Sequence, residues 1–295
     1  YHHLAGWMFQ YVDEITRTVI AAHDDEVRSS HNRTARSITS SVHSILMGQR
    51  VDPAAFEKLT GYRLNQVHLG CRIWIDDFAS VPDQERELSA LAEELARLLG
   101  VGRAPLVVMT GRSTAEVWFG SESRPSPLDP ATTAAMAAAA PGARIALGAP
   151  HPGVDGFRVT HGQAEQAATV ARVSTAADAH VVSYSDDAIP VISRLADDVA
   201  ATRRWVHEVL GELSYDTADA ARQRDTARVF LETAESYTET ASRLLLHRNS
   251  VKYRLTKAEN ALGRRLGDRR LDTQLALATC HVLGSVVLAP DPSVP

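Results

Sequence analysis

Residues Ser236 to Gly263 read SYTETASRLLLHRNSVKYRLTKAENALG, a segment that carries its own punctuation. Ser236-Tyr237-Thr238-Glu239 has the S-x-x-E form of a capping box, in which a hydroxyl and a carboxylate satisfy the free N–H groups of a helix start. A short helix from there to about Leu245 would bury Ala241, Leu244 and Leu245. Leu246-His247 breaks it, and a longer helix fits Arg248 to Leu262, ahead of Gly263. A two-turn helix, a tight turn and a longer helix are the proportions of a helix-turn-helix. At about 100° per residue, Val251, Leu255, Ala258 and Leu262 gather on one side, predicted to face inward. The opposite side carries Asn249, Tyr253, Thr256 and Asn260, flanked by Lys252 and Lys257. Planar amides pair with adenine, lysines meet guanine and phosphate, and a threonine methyl touches thymine, so this face suits duplex DNA. Arg243, His247, Arg248 and Ser250 sit at the turn and helix start, where free N–H groups also receive phosphate. Tyr253 also fits plain amphipathic packing. Arg254 lies nearer the core edge, where an internal salt bridge and a phosphate contact are both open.

Working outward, charge sharpens the contrast. The chain of 295 residues has a formal net charge of -5. Between Ala241 and Leu271, nine Lys or Arg face two acids, a local balance of +7 that leaves -12 for the rest. A whole surface that grips a polyanion is excluded; a local basic face is not. Cys71 and Cys280 are far apart, outside any metal-binding spacing, and fit buried thiols in a reducing cytosol. The apolar run LATCHVLGSVVLA is interrupted by His281 and too short to span a bilayer, and there is no secretory signal, so the expectation is a cytoplasmic protein without a membrane partner. The chain opens on Tyr1, with no initiator Met, which predicts that it begins inside a longer protein.

Residues 4 to 47 show apolar positions at three- and four-residue steps around a polar middle, predicting a helical connector or dimer arm. A short helix from Pro53 to Thr60 follows. QVHLGCRIWID alternates Val67, Leu69, Cys71, Ile73 and Ile75 with His68, Gly70, Arg72, Trp74 and Asp76, a period-two strand. A helix over Asp83 to Leu99 leads to a hairpin, APLVVMT and TAEVWFG, turning around Gly111, Arg112 and Ser113. Then come a helix at Leu128 to Ala140, a strand at 143 to 147, a Gly/Pro-rich loop to Thr160, a helix from His161 to Ser174 and a strand at 180 to 184. Everything from Ile189 on reads as helix: one stripe from Ile189 to Leu210, then Ala218 to Ala234 with Ala227, Phe230, Leu231 and Ala234 inward. The order predicts an α+β fold: a helical N-terminal arm, an antiparallel or mixed sheet layered by helices, and an all-α C-terminal helix-turn-helix domain. The internal hairpin does not suit a doubly wound dinucleotide fold.

LLLHRNSVKYRLTKAENALGRRL resembles the C-terminal helix-turn-helix of the PucR/CdaR family of bacterial transcriptional regulators. His247, Arg248, Asn249, Val251, Tyr253, Arg254, Leu255, Glu259 and Gly263 match its signature; Ser250 stands for the usual Thr and Leu246 for the usual Val. TARVFLETAESYTETASRLL is similar to the family's approach to that module. The region from about Ala54 to Tyr184, above all ARIALGAPHPGVDGFRVTHGQAEQAATVAR, is similar to the GGDEF-like domain that precedes it in many members. The lead-in at residues 4 to 47 and the Arg- and Ala-rich composition resemble actinobacterial members. The resemblance implies a helical arm at 1–50, a GGDEF-like domain at 51–188, a connecting helix at 189–216 and a DNA-binding domain at 217–290. It further implies a sequence-specific regulator that binds double-stranded DNA as a homodimer or higher homo-oligomer and answers to an unknown small-molecule effector.

An active diguanylate cyclase needs paired metal-binding acids and a Gly-Gly-Asp/Glu-Glu-Phe turn. TGRSTAEVW offers one glycine and Arg112 instead, so the GGDEF-like domain is expected to be catalytically inactive, with no cofactor, no metal and no catalytic residue. The alternative is a nucleotide sensor or cyclase-like enzyme centred on Asp76, Asp77 and Glu116, which needs these acids to converge on an ion. Gly153 and Gly156 could frame an anion ahead of the helix at His161, though a plain turn needing positive φ is the reading we favour.

Overall fold

The computed structural model describes residues 33–76, 84–125, 128–139, 141–176 and 179–291. It divides into two compact units, Tyr1–Asn65 and Gln66–Pro295.

In the first unit a helix (α1) covers residues 33–46. The remainder of the predicted arm, residues 4–32, lies outside the described residues. Helix α2, Pro53–Thr60, has the boundaries read from the sequence. The Asp52 side chain accepts from the Ala54 N–H at 3.1 Å, Pro53 needs no partner in the first turn, and Gly61 closes the helix at φ +72°.

The second unit begins with a sheet. Its strands are β1 (Val67–Ile75), β2 (Leu106–Met109), β3 (Thr114–Ser121), β4 (Ala143–Leu147), the two-residue β5 (His151–Pro152) and β6 (Val181–Ser183). The order is β2-β3-β1-β4-β6, with β5 on the end of β1. The predicted hairpin is β2–β3, and β1 runs antiparallel to both β3 and β4; only β4–β6 is parallel, so the sheet is mixed.

Helices cover both faces. Helix α3 (Gln84–Leu98) and helix α4 (Pro130–Ala139) pack Leu88, Leu95 and Met136 against Cys71, Ile73, Val117 and Ile145 on one face. The long α5 (Gly153–Val173) lies on the other, with Ala167, Ala168 and Ala171 clustered beside Trp74, Ala146 and Val182. β1 is therefore not half-exposed, as its alternation suggests: His68 and Trp74 are buried. Polar and small residues on the second face mark a layer of close helix contact.

From Gly153 on, the predicted Gly/Pro-rich loop up to Thr160 is helix instead. α5 starts at Gly153, where φ is +70° and the N–H donates to Gln66 O at 2.8 Å. The glycines serve close approach: a Cβ on Gly148 would stand 2.1 Å from the Thr160 carbonyl oxygen, and one on Gly156 2.5 Å from the His151 carbonyl carbon. Thr160 Oγ1 completes the contact by accepting from Gly70 N–H at 2.7 Å. Composition signalled a breaker; packing required bare backbone.

The single stripe expected over Ile189 to Leu210 is also divided. Helix α6 (Ile189–Leu195) and helix α7 (Val199–Leu210) meet at a 3-10 turn, Ala196–Asp198. Asp198 starts the second helix by accepting from Ala201 N–H at 2.9 Å. Helices α8 (Ala218–Glu232), α9 (Tyr237–Arg243), α10 (Arg248–Leu262) and α11 (Arg270–Leu283) follow. Their shared core holds Val206, Leu210, Ala227, Phe230, Leu231, Val251, Leu255 and Leu277. α8 ends before Ala234, which with Glu235 adopts positive φ and is exposed, not inward as read from the sequence. Leu283, at the end of α11, and Val287 belong to the sheet-side core with Ile189 and Ile192, so α11 is common to both cores.

Candidate nucleic-acid interface

Ser236 does cap α9: its hydroxyl accepts from Glu239 N–H at 3.3 Å. The capping box is closed from one side, since Ser236 N–H donates to Thr233 O at 3.1 Å and the Glu239 carboxylate lies 3.6 Å from Arg243. α9 is shorter than expected, and the turn explains why. Leu246 N–H reaches back to Ala241 O at 2.9 Å, which needs a left-handed residue in between, and Leu245 takes it at φ +53°. Its side chain is 92% exposed, so it does not join the core with Ala241. Leu246 packs there instead.

α10 begins where the sequence places it. His247 is the residue before its first turn, and His247 Nδ1 accepts from Asn249 N–H at 3.2 Å. Val251, Leu255 and Ala258 are buried, while Arg248, Asn249, Lys252, Tyr253, Thr256 and Lys257 are exposed and Ser250 half-buried. Lys257 Nζ stands 4.9 Å from the centre of the Tyr253 ring, and hydrogen bonding to Tyr253 holds the ammonium above its ordinary pKa. The Thr256 hydroxyl donates to Lys252 O at 3.0 Å, which commits its proton to the helix. Gly263, at φ +68°, ends α10, and Glu259 accepts from Leu266 N–H at 3.2 Å, tying down the chain beyond it.

The positive balance of this segment separates into two groups. Arg264 donates to Val209 O at 3.2 Å and Thr273 Oγ1 at 2.8 Å, Arg269 pairs with Asp272 at 2.8 Å, and Arg270 pairs with Glu235 at 2.8 Å. Arg243 lies 4.0 Å from Glu232 and 3.6 Å from Glu239 on an exposed rim, where such pairs hold weakly. Arg248, Lys252, Arg254, Lys257 and Arg265 make no ion pair among the described residues; Arg248, Lys252 and Lys257 are exposed on α10, while Arg254 is half-buried nearer the core.

α8 contributes residues that the local pattern could not associate with α10. Asp219, Arg222 and Gln223 share a groove of about 470 Å³ with Asn249, Ser250, Tyr253, Arg254 and Lys257. Arg222 pairs with Asp219 one turn away. Only their spacing near a helix start was visible in sequence.

In the sheet, two acids of the alternative centre, Asp76 and Glu116, stand apart. Asp76 follows β1, where it accepts from Trp74 Nε1 at 3.0 Å and pairs with Arg144. Glu116 stands on β3 opposite Arg72, four residues back along β1, on the order of 13 Å at strand rise. Asp77 lies outside the described residues. Cys71 and Cys280 are free and buried; burial raises both thiols, Cys280 to about 12.

Comparison with known proteins bears on both regions. Residues 223–279 match the model of the PucR C-terminal helix-turn-helix domain, and residues 48–170 match the GGDEF-like domain. A purine catabolism regulatory protein of Bacillus subtilis (strain 168) is 34% identical over 100 residues, 34% of this chain and 19% of the relative, so the chain spans about a fifth of that curated protein. The crystal structure of a regulator of polyketide synthase expression from Bifidobacterium adolescentis is 18% identical, covers 81% of this chain and 90% of its own, and gives a TM-score of 0.37, too low to carry an argument. No described helix is long and apolar enough to cross a membrane. The chain thus carries, in order, a match to the GGDEF-like domain and a match to the PucR C-terminal helix-turn-helix domain.

Proposed function

We propose that the protein is a cytoplasmic, sequence-specific regulator of transcription, with α10 as the helix that enters the DNA major groove. The observation that carries this reading is the division of α10: Val251, Leu255 and Ala258 are locked in the core, and Asn249, Lys252, Tyr253, Thr256 and Lys257 are left to solvent. Arg248, Ser250 and Arg243 then serve phosphates at the groove edge, and His247 holds the helix start that meets them. The name of the matched Bacillus subtilis relative, a purine catabolism regulatory protein, supports the same class.

The GGDEF-like domain acts in this reading without catalysis, in signal sensing or oligomer formation. The separation of Asp76 from Glu116 supports it, because a two-ion phosphoryl site needs carboxylates around shared ions. Two α10 helices from a homodimer or higher oligomer would read successive major grooves. A cavity of about 520 Å³ between β6, α6, α8 and α11, walled by Val181, Ile189, Leu231 and Leu275, is where an effector would sit.

Selection of bound fragments from genomic DNA, followed by fluorescence anisotropy across a salt series, tests the reading. The expected result is an enriched sequence bound tightly, with affinity falling steeply as salt rises. Equal binding to all duplexes, or no salt-dependent binding, would discard α10 as a reading helix. Calorimetry with magnesium and guanine nucleotides should show no binding; turnover would favour the cyclase-like alternative.

A further inference from the structure

We propose that Glu116, His161 and Glu165 form a binding site for one divalent transition-metal ion of the zinc, cobalt or manganese type. His161 and Glu165 stand one helical turn apart on α5, and Glu116 faces them from β3. One ligand atom from each lies within 4.8 Å of the others, close enough for a single ion. The side chains of Glu116, His161 and Glu165 retain 13, 21 and 34% of their exposure, so the group is sheltered between helix and sheet.

Unsatisfied chemistry is concentrated here. Among the described residues three buried side-chain nitrogens lack a hydrogen-bond partner; one of them, His161 Nε2, can ligate a metal, whereas Arg72 Nε beside it is an N–H donor that needs an acceptor. His161 Nε2 is 3.2 Å from Glu116 Oε2 but is not aligned to bond it. An orphaned buried imidazole nitrogen calls for an ion or a water. A lone pair on Nε2, flanked by two carboxylates, suits a cation.

The surroundings also fix the ligands. The Trp118 ring stacks on His161 with centroids 5.5 Å apart and planes 14° from parallel, which sets the imidazole plane. Arg72 pairs with Glu165 through Oε1 and leaves the other carboxylate oxygen for an ion, the arrangement by which outer groups orient metal ligands. The Arg72 guanidinium balances one of the two carboxylates. One imidazole with two carboxylates favours first-row transition ions over calcium or magnesium, which take oxygen ligands. With three protein ligands, a coordination position stays open to water or a small anion.

The experiment uses the full chain with His2→Ala and His3→Ala, since those paired imidazoles offer a separate zinc site. After chelator treatment, zinc is titrated by calorimetry and cobalt by its visible absorption. One ion per chain is expected, with the cobalt band of a mixed nitrogen and oxygen site. His161→Ala and the isosteric Glu165→Gln should each weaken binding by more than about 100-fold, and Arg72→Lys by about 10- to 100-fold. Circular dichroism of each variant confirms that it is folded. No ion bound, or binding unchanged in folded His161→Ala and Glu165→Gln, overturns the proposal. DNA binding is not among the readouts, so the result is independent of the role of α10.

Discussion

Asn249 and Lys252 occupy neighbouring exposed positions on α10 and should fail in different ways. An amide that pairs with adenine distinguishes bases, at about 1–3 kcal/mol for a bidentate pair. Asn249→Ala should therefore lower the ratio of specific to non-specific affinity. Lys252→Ala should weaken binding to every duplex and lower the salt slope by about one. Anisotropy with the selected site and a scrambled duplex separates the two; identical losses on both duplexes in both variants would contradict the assignment. Asn249, Lys252 and Lys257 were legible because helical periodicity assigns faces without tertiary information. Leu245 was not, because its exposure follows from a left-handed turn that a leucine rarely adopts.

At the scale of the element, two contacts decide boundaries. The Ser236 cap holds the start of the short α9 with one hydrogen bond at 3.3 Å, and Ser236→Ala should cost about 1 kcal/mol. Gly148 ends β4 against the backbone of α5, where a new Cβ would fall 2.1 Å from the Thr160 carbonyl oxygen. Backbone cannot swing aside as a side chain does, so Gly148→Ala should destabilise by about 1–3 kcal/mol. Chemical denaturation measures both, and a neutral Gly148→Ala would mean that α5 shifts freely on the sheet. The start of α10 and the limits of α2 were readable because caps and breakers act locally. The start of α5 was hidden because its glycines answer to a strand far away in sequence.

Across the second unit, the helical core and the sheet-side core of Ile189 share α11; Cys280 lies in the former, and Cys71 in the core on the other face of the sheet. The thiols of Cys71 and Cys280 are raised from 9.0 by burial, Cys280 to about 12. A folded-state pKa above the unfolded one adds stability that is complete below the unfolded value and is lost as pH rises through the folded value. Denaturant midpoints should therefore fall as pH climbs above about 9, and Cys280→Ala should reduce that slope. A variant with the same slope would show that another group governs alkaline unfolding. The sequence by itself determined the α+β class, the hairpin, the helix-turn-helix proportions and the face of α10, because each follows from periodicity and caps within a few residues. Tertiary structure alone decided that α5 covers the polar side of β1, that Asp76 and Glu116 stay apart, and that Glu116 meets His161 and Glu165. Those relations depend on strand register and on the approach of one helix, and neither is encoded in any short stretch of chain.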